Sequence, residues 1–420
     1  MSRAKTNPRG GSEIHEGAVM KNGWISNRLG AITTKIGSGA TPRGGEESYK
    51  ETGTPLIRSM NVHDWGFKEA KLARIDETQA AQLSNVVVEP DDVLLNITGA
   101  SVARCCVAPT EFLPARVNQH VSIIRPRKHE VSSAFLQYLL ISQTYKDRLL
   151  HTGEAGSTRQ AITKAQIEDF VIEYPKSLAE QQRIVGLLDE AFEGIATTKA
   201  NAAKNLQNAR ALFESHLQSV FSQRGKGWVE TTLGEAYDVR DGTHDSPKYH
   251  ATGYPLITSK NLKRDGLSFE DIKLISEKDF RDINKRSAVH KGDVLFAMIG
   301  TIGNPTLVEV EPQFAIKNVA LLKVSQHQSG AFLRHYLGSS FVIDKMTREA
   351  KGTTQRFVGL GYLRGFPIQL PPLKAQLKMV QELDALSSET QRLATLYTRK
   401  LAALEALKKS LLHRAFSGEL

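Results

Sequence analysis

GSTRQAIT, Gly156–Thr163, comes back near the end of the chain as GTTQRFVG, Gly352–Gly359. Working outward from this pair, the flanking sequence repeats as well. WISNRLGAI from Trp24 matches WVETTLGEA from Trp228, and TPLIRSMNV (Thr54–Val62) matches YPLITSKNL (Tyr254–Leu262). DDVLLNITGA from Asp91 matches GDVLFAMIGT from Gly292, and Asn118 in RVNQHVSII matches Asn318 in AIKNVALLK. On the other side, LAEQQRIVGLLDEAF from Leu178 matches LKAQLKMVQELDAL from Leu373, and SVFSQRG from Ser219 matches RAFSGEL from Arg414. One such pair could arise by chance; a series in the same order, displaced by roughly 200 residues, is an internal duplication.

Both halves share one internal order. Short β-rich runs such as NVVVEPDDVLLNIT, HVSIIRP and VALLKV alternate with turn residues, and FLQYLLISQTYKDRLLH from Phe135 and FLRHYLGSSFVIDKM from Phe332 have helical spacing. After Pro175, and again after Pro371 and Pro372, proline disappears for about 40 residues, as a long helix begun just past a proline requires. Apolar positions then step by threes and fours: Ile184, Leu188, Ala191, Ile195, Ala202, Leu206, Ala209, Phe213, Leu217 and Val220 in the first stretch. Leu377, Val380, Leu383, Leu386, Leu393, Tyr397, Leu401, Leu404, Leu407 and Leu411 do the same in the second. Such stripes predict a seam. The expected fold class is α+β: two pseudo-symmetric domains joined by two long antiparallel helices paired as a coiled-coil rod, related by a pseudo-two-fold axis. The expected boundaries are a polar leader at 1–23, a first domain at 24–175, a first long helix at 176–222, a linker at 223–227, a second domain at 228–371 and a second long helix at 372–420.

Composition narrows the function. The chain has 420 residues, 40% hydrophobic and 24% charged, with 55 Lys and Arg against 45 Asp and Glu for a formal charge of +10. The basic balance favours a polyanionic partner. No apolar run reaches the roughly 18 residues of a membrane span, and the leader lacks the apolar stretch of a secretory signal, so a cytoplasmic location is expected. Cys105 and Cys106 are the two cysteines, too few for a disulfide framework or a four-ligand zinc site, and read as small apolar fillers. ITGAS and MIGTIGNP lack the spacing of a phosphate cradle, and THDS (Thr243–Ser246) is four adjacent polar residues rather than a triad. No catalytic residue and no metal site is expected on this chain.

What remains are paired polar loops beside glycines, with side chains that suit DNA: Arg and Lys for phosphates and guanine, Asn and Gln for adenine. In the first half these are Thr41, Arg43, Arg58, Ser59, Asn61, Arg104, Asn118, Gln119, Arg159 and Gln160. In the second they are Thr243, His244, Lys248, Thr258, Lys260, Asn261, Lys317, Asn318, Gln355 and Arg356. Arg159, Gln160, Gln355 and Arg356 face either DNA or the joint between domain and helix.

From Trp24 to Leu420 this layout resembles the specificity subunit of Type I restriction-modification systems, the HsdS family. The resemblance rests on the PLIxSxN pair, DDVL and GDVL, GSTRQ and GTTQR, YPKSLAEQQRIV and LPPLKAQLKMV, and the terminal AFSGEL. LKAQLKM departs from the more acidic LxEQxxI usual in the family, and the leader is unusual. The resemblance implies two target recognition domains that each read half of a split sequence on double-stranded DNA, with helices that set the gap. It implies two modification (methyltransferase) subunits and restriction (motor-nuclease) subunits as partners. S-adenosylmethionine, ATP and Mg are then expected on those partners and no cofactor on this chain. The competing expectations are a coiled-coil protein-binding adaptor without DNA specificity and a fused methyltransferase-endonuclease; the second would need several hundred further residues.

Overall fold

The computed structural model describes residues 23–154, 161–223, 225–263, 266–352, 356–417 and 419. The chain divides into two units, Met1–Ala200 with Ala402–Leu420, and Asn201–Leu401. Each unit holds one mixed domain and one end of each long helix, Leu178–Ser222 and Leu373–Ser417.

In the first unit a four-stranded antiparallel sheet runs in the order Thr33–Ser38, Val121–Pro126, Val93–Asn96, Cys105–Val107. A second sheet runs Ala73–Ile75, Thr54–Ile57, Ala115–Val117, Val87–Val88, with the middle two strands parallel. The apolar run at Val93–Leu95 is explained by its place between layers: Val93 and Leu95 face the helices while Leu94 faces the other sheet. Trp24–Arg28 pairs antiparallel with Val171–Pro175, Trp24 opposite Pro175, so the domain's first strand is tied to the strand that feeds the long helix.

The second unit repeats the plan. Its antiparallel sheet runs Asp238–Asp241, Val319–Lys323, Val294–Ala297, Gly303–Leu307, and Tyr254–Ile257 lies parallel to Ala315–Ile316 and antiparallel to Lys273–Ile275. Val229–Thr232 pairs with Pro367–Leu370, as its counterpart does. Val294 and Phe296 face the helices while Leu295 and Ala297 face the other sheet.

Each core takes residues from both long helices. In the first unit Ile184, Leu188, Phe192 and Ile195 share a core with Leu412 and Ala415 and with Phe135, Leu136 and Leu139 of the helix Ser133–Ile141. In the second unit Leu217, Val220 and Phe221 share one with Leu383 and with Phe332 and Leu333 of the helix Gly330–Gly338. The terminal AFS and VFS motifs are thereby explained. Phe416, from the second repeat, meets Phe135 of the first edge-on at 5.4 Å, and Phe221, from the first, meets Phe332 of the second at 5.5 Å. The helices therefore run antiparallel, and each repeat's helix ends in the other repeat's core.

Two stripe positions are corrected. Leu377 is 54% exposed and Leu407 46% exposed, outside the seam. At one residue per 100° of turn, their neighbours take the inward place: Gln376 is 1% exposed, and Lys408 lies over an aromatic ring. This sets a contrast that urea unfolding of the purified chain can measure. Leu188→Asp, at a position 1% exposed, should cost about 3 kcal/mol or more, since it places a charge in an apolar core; Leu377→Asp should stay within about 0.5 kcal/mol.

Candidate nucleic-acid interface

The parallel strand pair of each domain ends in a loop cluster. In the first, Gly39 follows the strand Thr33–Ser38 and its N–H donates to the Asn118 carbonyl at 3.1 Å. A Cβ on Gly39 would sit 1.8 Å from the Val117 carbonyl oxygen, so only glycine lets this crossing close. The turn brings Thr41 to the surface beside exposed Gln119, whose Oε1 accepts from the Thr41 hydroxyl at 2.5 Å. Gln119 Nε2 lies 3.2 Å from His120 Nε2, and His120 Nδ1 lies 2.6 Å from Thr98 Oγ1. Four polar side chains from three loops thus share one hydrogen-bonded row. His120 was not among the sequence candidates, although it adjoins Gln119; Arg43 is exposed next to the row.

The second domain builds the same place from other residues. Gly242 crosses the strand end at Ile316, where a Cβ would lie 2.3 Å from the carbonyl oxygen. Exposed His244 points its ring nitrogens at Asn318 Oδ1 (2.8 Å) and Asp241 Oδ2 (2.9 Å). Asn318 has φ of 55°, the left-handed region that asparagine tolerates. Lys317 donates to Ser246 Oγ, and the Thr243 hydroxyl accepts from the Asp245 N–H at 3.2 Å. Lys248 is exposed beside them, and the loop forms one wall of a cleft whose other wall carries Asp279, Asp282 and Arg286.

Other candidates have internal roles. Asn61 is fully buried: its Oδ1 accepts from the Arg58 N–H at 3.1 Å and its Nδ2 donates to the Lys68 carbonyl at 2.8 Å. Asn261 is 7% exposed and does the same for Thr258 N–H (2.9 Å) and the Ser268 carbonyl (3.0 Å). The PLIxSxN motif is therefore a loop brace, and its asparagines do not face a partner. Thr258 Oγ1 also donates to Asn261, and the Ser59 carbonyl accepts from Asn96. Asn118 is 4% exposed, with its Oδ1 accepting from the His120 N–H at 3.0 Å. Arg58 is engaged by Glu46 (2.9 Å), the Lys71 carbonyl (2.6 Å) and the face of Tyr49. Arg104 is half-buried against the hairpin Val62–Phe67, and Lys260 is exposed. Arg356 is exposed and donates to the Thr347 carbonyl at 3.3 Å; Arg159, Gln160 and Gln355 lie outside the described residues.

The DDV and GDV aspartates are structural too. Asp92 is buried, accepts from the Glu89 N–H and pairs with Arg125 at 2.7 Å; Asp293 accepts from the His290 N–H and pairs with Lys323 at 2.6 Å. Cys105 and Cys106 are buried, and burial pushes the Cys106 thiol up to about 12 and Cys105 well above its ordinary value, so neither is a ready nucleophile. Among the described residues no group of three or more His, Cys, Asp or Glu is placed to hold a metal, and no helix is long and apolar enough to cross a membrane.

Each domain is joined to its long helix by matching residues of different chemistry. Tyr138 donates to Asp189 Oδ1 at 2.5 Å in the first; at the equivalent place His335 Nε2 and Arg334 meet Asp384 Oδ1 at 2.7 and 2.8 Å. Burial holds the His335 imidazolium below its ordinary value, with Arg334 adding to this and Asp384 opposing it. Folded His335 is therefore the weaker base, and the unfolded chain takes up the proton first. Stability contributed here is present above about pH 6.5 and is lost as pH falls through the lower folded value. Thermal unfolding followed from pH 7.5 to 5 should show that decline, and His335→Tyr, copying Tyr138, should flatten it.

A family model for the Type I restriction modification DNA specificity domain matches the chain twice, at residues 22–207 and 225–400. The chain is 20% identical over 430 residues to the EcoKI specificity subunit of Escherichia coli (strain K12), covering 96% of this chain and 90% of that protein. It is 21% identical over 447 residues to the StySPI specificity subunit of Salmonella potsdam, with the same coverage. In fold it is similar to a chain from a structural study of complex assembly and conformational transition of the type I R-M system, with TM-score 0.76 and 19% identity over 96% of this chain and all of that one. It is also similar to the HsdS subunit from Thermoanaerobacter tengcongensis, with TM-score 0.63 and 18% identity over 96% and 99%. With both repeats matched and the same two-domain, two-helix layout, the chain belongs to the family of Type I restriction-modification DNA specificity proteins.

Proposed function

We propose that this chain is the addressing subunit of a Type I restriction-modification complex: each domain reads one half of a split duplex target, and the paired helices fix the gap. The observation that carries this reading is the loop cluster at the same topological place in both domains, Thr41, Gln119 and His120 in one and His244, Lys317 and Asn318 in the other. A common frame with different donors and acceptors at its mouth is what two different half-sites require. Arg43, Lys248 and Lys260 supply exposed cations beside those mouths for phosphates.

The chemistry is assigned to partners. Two modification subunits would bind S-adenosylmethionine and methylate the target, restriction subunits would use ATP and Mg, and this chain would contribute no catalytic group. Methylome sequencing tests the assignment. Exchanging residues 24–175 for those of a related subunit should change one half of the methylated sequence and leave the other half and the gap intact. A swap that altered bases in both halves would show recognition by one composite surface. In direct binding, neutralising about six to ten phosphates should lower affinity by several orders of magnitude between 50 and 200 mM salt, whereas a protein-binding adaptor would give a flat response.

A further inference from the structure

The hairpin Val62–His63 and Gly66–Phe67 carries Asp64 and Trp65 at its tip. Trp65 is 50% exposed, yet its ring is engaged from two sides. Phe192, on the first long helix, meets it edge-on with ring centroids 5.3 Å apart and planes at 85°. Lys408, on the second, holds its ammonium 3.5 Å from the Trp65 ring centroid and 5.0 Å from that of Phe192. Such an ammonium over an indole face is a cation–π contact. Burial, with Lys199 nearby, lowers the Lys408 pKa, in keeping with an ammonium partly stripped of water. A single domain side chain therefore touches both long helices.

The tip is also held from behind. Asp64 Oδ1 accepts from the Cys105 N–H at 3.3 Å, its carbonyl accepts from Gln137 Nε2 at 3.0 Å, and its carboxylate pairs with Lys146. Trp65 is thus mounted on a hairpin that its own domain makes rigid. The duplication supplies an internal comparison. Aligned through Asn61 with Asn261 and Gly66 with Gly266, Trp65 stands where the second repeat has Asp265. Aligned through Asp189 with Asp384, Phe192 stands where that repeat has Ser387, and aligned through Phe416 with Phe221, Lys408 corresponds to Phe213. All three members of the contact change together, so the second repeat's sequence lacks the residues for the same contact.

Resting on the DNA-reading function above, we propose that Trp65 is a positioning residue: it locks the first domain onto both long helices and so fixes where its half-site must lie, through three residues that the second repeat's sequence does not have. Thr41 and Gln119 stand on other loops than this hairpin, so removing the lock should change the tolerated gap and not the bases read.

The test uses the complex with its modification subunits and the methylated sequence of the wild type as target. Equilibrium binding is compared on duplexes with the native gap and with the gap one base pair shorter or longer. For Trp65→Ala, discrimination against the altered gaps should fall about tenfold, the scale of one desolvated cation–π contact. Trp65→Phe, which keeps a ring face, should retain most of it, and Lys408→Met should lose part. Should Trp65→Ala not accumulate, the Lys408→Met ratio decides. An equal loss on all three duplexes, with the ratio unchanged, would make Trp65 a purely structural residue and overturn the proposal. A changed base in the first half-site would overturn it by making Trp65 a DNA contact. A wild-type complex indifferent to gap length would instead sink the addressing function itself.

Discussion

Everything in each repeat hangs on one buried amide. Gln181, 0% exposed, sits in the first turn of the first long helix; its Oε1 accepts from the Ser132 N–H at 2.8 Å, and its Nε2 donates to the carbonyls of Pro175 (2.8 Å) and Glu130 (3.0 Å). Gln376, 1% exposed, repeats this with the Ser329 N–H at 2.9 Å and the Pro371 carbonyl at 2.8 Å. One side chain thus joins three pieces: the start of the long helix, the strand or turn that feeds it, and the capped start of the domain helix behind it. A leucine would fill the space but strand three backbone groups at Gln181 and two at Gln376, at about 1–3 kcal/mol each. Because an amide satisfies donor and acceptor at fixed angles, the brace also sets direction, which a greasy contact alone would leave loose.

That fixed joint explains why the helices can exchange ends between the repeats. With Gln181 and Gln376 setting where each helix leaves its domain, the far end of each is free to supply Phe221 or Phe416 to the other repeat's core. Neither core is complete from its own repeat. The arrangement makes each unit dependent on both helices, which is a stronger constraint than two domains on a string. The joints then differ where the frame permits: Tyr138 on Asp189 in one, His335 and Arg334 on Asp384 in the other.

Much of this was legible in the sequence. The ordered repeats gave the duplication, and the proline-free stripes gave the long helices, because periodicity and chain breaks are properties of local sequence. The inward glutamines were not legible. A polar residue in an amphipathic stretch reads as surface, so Leu377 and Leu407 were placed in the seam when Gln376 and Lys408 held the inward positions. The same blindness moved Asn61, Asn118 and Asn261 toward DNA. An asparagine in a loop of Arg, Lys and Gly looks alike whether its amide turns outward or satisfies the backbone of its own turn; only the fold separates the two. His120 was missed for the opposite reason, since its place in the polar row depends on Thr98, 22 positions away.

The duplication then sorts polar residues by a physical criterion. Those that keep both identity and hydrogen bonds in the two repeats, Asn61 with Asn261 and Gln181 with Gln376, are buried and satisfy backbone groups. Asp92 and Asp293 keep their identity while the cation changes from Arg125 to Lys323, since a buried carboxylate needs a positive partner but not a particular one. Residues that change while keeping their place, Thr41, Gln119 and His120 against His244 and Lys317, lie at the loop mouths, where water or a partner can satisfy them and the fold imposes no choice. Burial makes the first group a frame, and exposure leaves the last free to differ. A protein that must present two different surfaces on one scaffold needs both classes, and the constraint that separates them is that a buried donor or acceptor has to be paired within the chain, while an exposed one does not.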